Sequence, residues 1–205
     1  MNDPARRRAL TGLAALALTP WLPAHAQPER RPTPPLTEGP FYPTEPPLER
    51  DADLERIAGR SPAQGTPLAF AGRIVDTRGR PLAGRVIEIW HCDQFGHYHL
   101  AGQPAANGDA GFQGWGEARS GEGGEFAFRT IRPPAYPGRT PHIHFTVRNE
   151  LGRRVLTSQA FFEGEAGNAR DFLYGRLGAD AKRLTMRLES EGGGLKGSLE
   201  VVLAA

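Results

Sequence analysis

The chain has 205 residues, 39% of them hydrophobic and 23% charged, with a formal net charge of +2. That is enough apolar material for one ordinary core, which excludes a disordered chain, and too little excess charge for a surface built to grip nucleic acid. The 26 glycines and 19 prolines favour a turn-rich β fold over a helical bundle.

Residues 1–26 read as an export signal. Arg6, Arg7 and Arg8 form a positive start, and Leu10 to Leu22 is mostly apolar. That run is too short to span a bilayer comfortably, so no stable membrane insertion is expected. Ala24-His25-Ala26 then supplies a cleavage pattern. The paired arginines also suit a twin-arginine signal, and the periplasm is the expected compartment. The leader carries three of the 25 basic and one of the 23 acidic residues, so the mature chain is neutral.

Residues 27–66 are expected to form an extended arm and linker. The proline-rich stretch QPERRPTPPLTEGPFYPTEPPLER, residues 27–50, cannot be helix. The adjacent aromatics Phe41 and Tyr42 argue for an arm docked on the domain over a free tether. Residues 67–205 are expected to form one all-β domain, a β-sandwich. PLAFAGRIVD and RVIEIW read as strands around the turn cluster DTRGRPLAG, and GEFAFRTI, HIHFTVRN, VLTSQAFF, LTMRLES and SLEVVLAA follow. SGEGGE and EGGGLKG mark further turns, and residues 165–181 suit one or two helical turns. Short strands at this spacing suggest a sandwich.

Cys92 is the only cysteine, so no disulfide forms within the chain, and it reads as a small buried residue. Every histidine after the leader lies between residues 91 and 144: His91, His97, His99, His142 and His144. On a strand, His142 and His144 point the same way about 7 Å apart, close enough to share one ion; the plainer reading is two surface histidines. Tyr98 and Tyr136, two of four tyrosines, sit beside the histidine segments. A phenol usually keeps its proton to about pH 10, but a nearby trivalent ion reverses that. Two phenolates and two imidazoles suit ferric iron better than zinc.

Three separated segments then resemble the intradiol ring-cleavage dioxygenases, the family of catechol and protocatechuate 3,4-dioxygenases. They are LTEGPFYP (36–43), VIEIWHCDQFGHY (86–98) and TIRPPAYPGRTPHIHF (130–145); a fourth, SQAFFEG (158–164), is similar to the strand after the ligand strand. The resemblance implies a β-sandwich enzyme with non-haem Fe(III) on Tyr98, Tyr136, His142 and His144. Tyr98 and His142 would be equatorial, Tyr136 and His144 axial. A catechol-type substrate would chelate the iron, displace Tyr136 and pass it a proton, and O2 would cleave the ring between the hydroxylated carbons to a cis,cis-muconate-type diacid.

The same resemblance makes Arg139 a fixed cation for charge developing on the ring, with a surface salt bridge as the plain reading. It makes Gln159 a residue that steers substrate, against a structural hydrogen bond. Gly39 and Pro40 would line the substrate pocket, or merely cover a sheet edge. His91, His97 and His99 have no implied role beyond polar support. The segment PGRTP between Tyr136 and His142 is shorter than in protocatechuate enzymes, and the helical N-terminal domain of catechol 1,2-dioxygenases has no counterpart, so the resemblance leaves the ring substituents open. Relatives commonly assemble, which makes a homo-oligomer an expectation. Two other readings compete. One is a transthyretin-like binding module that presents its histidines to zinc or copper; the other is an inactive relative that binds aromatics or carbohydrate.

Overall fold

Alternating burial along the strands builds two sheets that share one core. The computed structural model describes residues 29–45, 49–100 and 105–204. The expected export signal, residues 1–26, lies outside them. In chain order the strands are β1 (Pro67–Asp76), β2 (Val86–Trp90), β3 (Trp115–Arg119), β4 (Glu125–Ile131), β5 (His142–Arg148), β6 (Arg154–Phe162), β7 (Thr185–Met186), β8 (Leu188–Glu191) and β9 (Gly194–Leu203). One sheet runs β4-β1-β9-β8 and the other β3-β2-β5-β6-β7. All neighbours are antiparallel except β1 with β9 and β6 with β7. Phe70, Ile74, Phe128 and Val201 from the first sheet meet Ile87, Ile89, Ile143 and Phe145 from the second in the core.

The strand β5 is buried on both faces. Ile143, Phe145 and Val147 belong to the core cluster. His142, His144 and Thr146 alternate with them and therefore face the other way. That outer face is covered by the proline-rich arm, which has neither helix nor strand over residues 29–45. The arm is stitched down along its length. Thr33 N donates to Val202 O (2.8 Å), Leu36 N to Thr157 O (2.9 Å) and Thr44 N to Leu100 O (2.8 Å). Ser158 Oγ donates to Pro34 O (2.8 Å).

Two sequence expectations need correction. β3, with the sequence WGEAR, was not foreseen; it completes the edge of the second sheet by pairing Trp115 with Trp90. LTMRLES is not one strand: it breaks at Arg187, so β7 joins the second sheet and β8 the first. The expected helical turns are present as a six-residue helix, α1 (Phe172–Leu177), with 3-10 turns at Asn168–Arg170 and Gly178–Arg183. No helix among the described residues is long and apolar enough to cross a membrane.

Candidate metal centre

Three segments bring the four predicted donors together. His142 and His144 come from β5, Tyr98 from the loop after β2, and Tyr136 from the loop before β5. The two histidines are 2% and 1% exposed, which removes the reading as surface residues. Nε2 of His142 lies 3.1 Å from Nε2 of His144 and 3.3 Å from Oη of Tyr136. The Tyr98 ring stands edge-on to Tyr136 at 5.8 Å and to His144 at 6.1 Å between centroids.

Local sequence explains each placement. Pro137 and Gly138 occupy the two central positions of a type II turn, closed by Arg139 N donating to Tyr136 O (2.9 Å). Gly138 takes the required positive φ of 81°. The turn sets Tyr136 and Arg139 side by side. The Tyr98 loop is organised by Asp93, whose Oδ1 accepts from the amides of Phe95 and His97, both at 2.9 Å. Its Oδ2 accepts from Asp109 N at 2.7 Å and lies 3.2 Å from His99 Nε2. Burial works to raise this carboxyl, but those hydrogen bonds outweigh it and hold Asp93 down at about 2.

The electrostatics favour neutral imidazoles. Burial, with help from the Arg139 charge, lowers His142 to about 4, and burial with the neighbouring His142 pushes His144 well below its usual value. Nδ1 of His142 faces Thr140 O at 2.6 Å and donates to it, which leaves Nε2 with a free lone pair. Burial also raises both phenols, so Tyr98 and Tyr136 hold their protons until a cation replaces them. The Tyr98 hydroxyl and Nδ1 of His144 are buried with no hydrogen-bond partner. The orphaned Tyr98 hydroxyl, beside Nε2 of His142 and Nε2 of His144, fits a bound metal ion; Nδ1 of His144 points away from that convergence. No group of three His, Cys, Asp or Glu among the described residues is arranged for a metal; a centre here needs the phenols.

Arg139 is not a loose surface cation. Its Nε donates to Asp171 Oδ2 (2.8 Å) and its Nη2 to Gln159 Oε1 (2.6 Å). Gln159 is fully buried, and its Nε2 donates to Thr37 O of the arm (3.0 Å), so both ends of its amide are taken by the protein. Gly39 lies against His144: a Cβ there would sit 3.6 Å from Cε1 of the ring. Pro40 is exposed.

Several functional contacts escaped the sequence reading. Phe41 stacks on Tyr98, with centroids 4.4 Å apart and planes 13° apart. Trp90 stacks on His144 at 5.0 Å and 14°, because β2 and β5 pair these two residues directly. Asp171 caps α1, accepting from the amides of Leu173 and Tyr174 while it holds Arg139. An aspartate just before a short helical pattern is a capping signal, but its ion pair was not visible in sequence.

The other histidines stand apart from the donors. His91 bonds Cys92 O (2.8 Å) and Thr130 Oγ1 (2.7 Å). His99 bonds Asp93, and His97 is partly exposed. Burial pushes the Cys92 thiol up to about 12, so it packs as an apolar residue. His91 is held at about 4 by burial against 6.5 for a free imidazole. Because its folded value is depressed, the unfolded chain binds the proton first. Its contribution is intact above pH 6.5, and about 3 kcal/mol is lost as pH falls to 4. Denaturant titration of the metal-free protein should show that fall added to those of His142 and His144, and His91→Gln should make the total shallower by about 3 kcal/mol; an unchanged slope would refute the assignment.

A family model described as Dioxygenase matches residues 37–202. The beta chain of protocatechuate 3,4-dioxygenase from Burkholderia cepacia is 30% identical over 154 residues, 65% of each chain. Hydroxyquinol 1,2-dioxygenase from Nocardioides simplex is 32% identical over 156 residues, 67% of this chain and 50% of that protein. Among solved structures, the dioxygenase domain of a dioxygenase carbohydrate-binding protein fusion from Streptomyces sp. SirexAA-E is similar with a TM-score of 0.68 and 33% identity, covering 85% of this chain and 99% of that one. Catechol 1,2-dioxygenase from Acinetobacter sp. ADP1 has a TM-score of 0.62 at 26% identity, covering 84% and 62%. The chain spans 65% and 50% of the lengths of these two curated relatives.

Proposed function

Since the chain belongs to the intradiol ring-cleavage dioxygenase family, we propose that Tyr98, Tyr136, His142 and His144 hold a non-haem ferric ion and that the protein cleaves a catechol-type ring with O2. The observation that carries this reading is the convergence of Tyr136 Oη and two neutral imidazoles within 3.1–3.3 Å, beside a buried phenol with no partner. Phenolate oxygen is a hard donor and imidazole a borderline one, a set suited to Fe(III).

Ferric iron supplies, when bound, the Lewis acidity that makes a catecholate ring open to O2. The chain does the rest. Thr140 O fixes the tautomer of His142. Tyr136, on a two-residue turn and only partly buried, is the donor able to exchange with substrate and accept its hydroxyl proton. Arg139, fixed by Asp171 and Gln159, presents positive charge to negative charge developing on the ring. The arm, with Gly39 against His144 and Phe41 on Tyr98, keeps water off the donors. Cleavage between the two hydroxylated carbons puts both oxygen atoms into a cis,cis-muconate-type diacid. Residues 1–26 direct the protein out of the cytoplasm on this reading, which cell fractionation tests.

The deciding experiment is spectroscopic. One equivalent of Fe(III) should give a broad visible tyrosinate charge-transfer band and quench the fluorescence of Trp90, which lies against His144. The loaded protein should take up one O2 per ring cleaved with catechol, protocatechuate or hydroxyquinol. A colourless iron-loaded protein would overturn the ferric centre. A coloured protein with no oxygen uptake on any of the three would overturn the activity.

A further inference from the structure

We propose that Glu88 is a positioning residue for this centre: it anchors Tyr42 of the arm and thereby lays Phe41 on the ring of Tyr98. The inference rests on the ferric reading for its functional meaning, and its geometry stands on separate contacts.

The argument starts from Tyr98. Its hydroxyl makes no hydrogen bond of good geometry; the Tyr136 hydroxyl is its one polar neighbour among the described residues, too weak a contact to orient the ring alone. Ring contacts must do so, and the tightest is the parallel stack on Phe41 at 4.4 Å. Tyr136 and His144 touch only edge-on. Phe41 itself belongs to no helix or strand, and no sheet ladder fixes its backbone. Its place is set by the residues beside it.

Tyr42 is held on three sides. Its Oη donates to Glu88 Oε2 at 2.8 Å. Its ring meets Trp90 edge-on at 5.0 Å, and the Arg154 guanidinium lies over it at 4.4 Å. Arg154 also pairs with Glu38, and Arg148 pairs with the other oxygen of Glu88. Glu38, Arg154, Tyr42, Glu88 and Arg148 therefore form one connected row, with the neutral phenol between a cation and an anion. Glu88 is 3% exposed, in the middle of β2. An acid so placed is costly unless both oxygens are engaged. A strand that needed only stability would carry an apolar residue there. The buried acid instead serves as the fixed acceptor for an arm that has no ladder of its own. The residue just before Tyr42 in the arm, Phe41, is the one that sets the plane of Tyr98.

Tyr42→Phe removes one hydroxyl and keeps the ring packing, but it leaves buried Glu88 Oε2 without its donor, so it breaks the link at that one point. On the metal-free full chain, amide exchange in residues 37–45 and in residues 94–100 should both accelerate about tenfold, with β4 unchanged. Phe41→Leu is the second variant: it removes the stack, and should loosen residues 94–100 by a similar factor while Tyr42 remains seated. In the iron-loaded protein, Tyr42→Phe should shift and broaden the visible band and raise KM for catechol more than it lowers kcat. Faster exchange confined to residues 37–45 in Tyr42→Phe would overturn the proposal, since the arm would then be loosened without reaching Tyr98. So would a visible band that superimposes on that of the parent. If the parent has no such band, the ferric reading fails by itself, and the exchange result still decides whether Glu88 positions Tyr98.

Discussion

His144→Leu is expected to strip iron from the protein and abolish ring cleavage while leaving the metal-free fold about as stable as the parent. The two effects differ in size because His144 is poorly placed for any purpose except ligation. Its Nδ1 is buried without a partner, and its Nε2 faces another imidazole nitrogen at 3.1 Å. A buried unsatisfied polar atom costs about 1–3 kcal/mol. Leucine is close to histidine in volume and removes both nitrogens. Against that gain stand the loss of the stack on Trp90 and of the hydrogen bond to His142 Nε2, each worth about 1 kcal/mol. Affinity for iron should fall by at least about a hundredfold, since changes outside the ligand set already cost 10- to 100-fold. Iron content after dialysis and thermal unfolding of the metal-free protein check the two halves. Full iron retention would remove His144 from the centre, and a large drop in melting temperature would show that it is a core residue.

Arg139→Ala is expected to lower kcat by about 10²–10³-fold, the usual cost of removing a fixed donor aimed at developing charge. It should also destabilise the fold. Asp171 is fully buried at its side chain and loses the cation it pairs with, while the carbonyl oxygen of Gln159 loses its donor. Breaking a buried pair costs about 3–5 kcal/mol. Asp171 keeps the amides of Thr140, Leu173 and Tyr174, so about 2–3 kcal/mol is expected here. Arg139→Lys should recover little, because one ammonium cannot bridge Asp171 and Gln159 as the guanidinium fork does. Steady-state kinetics together with urea unfolding separate the effects. Unchanged kcat with the stability loss intact would make Arg139 a structural residue.

The strands were legible where alternation and turn residues coincide. β4 and β9 show both, and β5 was visible from HIHFTVR even though it is buried on two faces. β3 was not, because WGEAR has a glycine and no β-branched residue and is held by pairing to β2. The break inside LTMRLES was hidden because Arg187 is neither glycine nor proline, and only the position of the two sheets forces it. The four proposed donors stood out as candidates in the sequence because unusual residue types cluster in short segments. Their support was less so. The Trp90 stack depends on strand register, the Arg139–Asp171 pair joins residues 32 apart, and Phe41 meets Tyr98 only once the arm has folded over the sheet. Pairings made by tertiary contact leave little trace in local pattern.

The arm's first foothold has a consequence for the order of assembly. Thr33 and Val202 exchange two hydrogen bonds across 169 residues, and β9 enters its sheet beside β1, also from the far end of the chain. A nascent polypeptide emerging from the ribosome therefore lacks the lining that fastens its own beginning. The sandwich must be completed before the early segment can be sealed across it. Until β9 has been made, the arm cannot be tied down at Thr33, and the residues proposed to hold the metal are then less covered than in the finished fold.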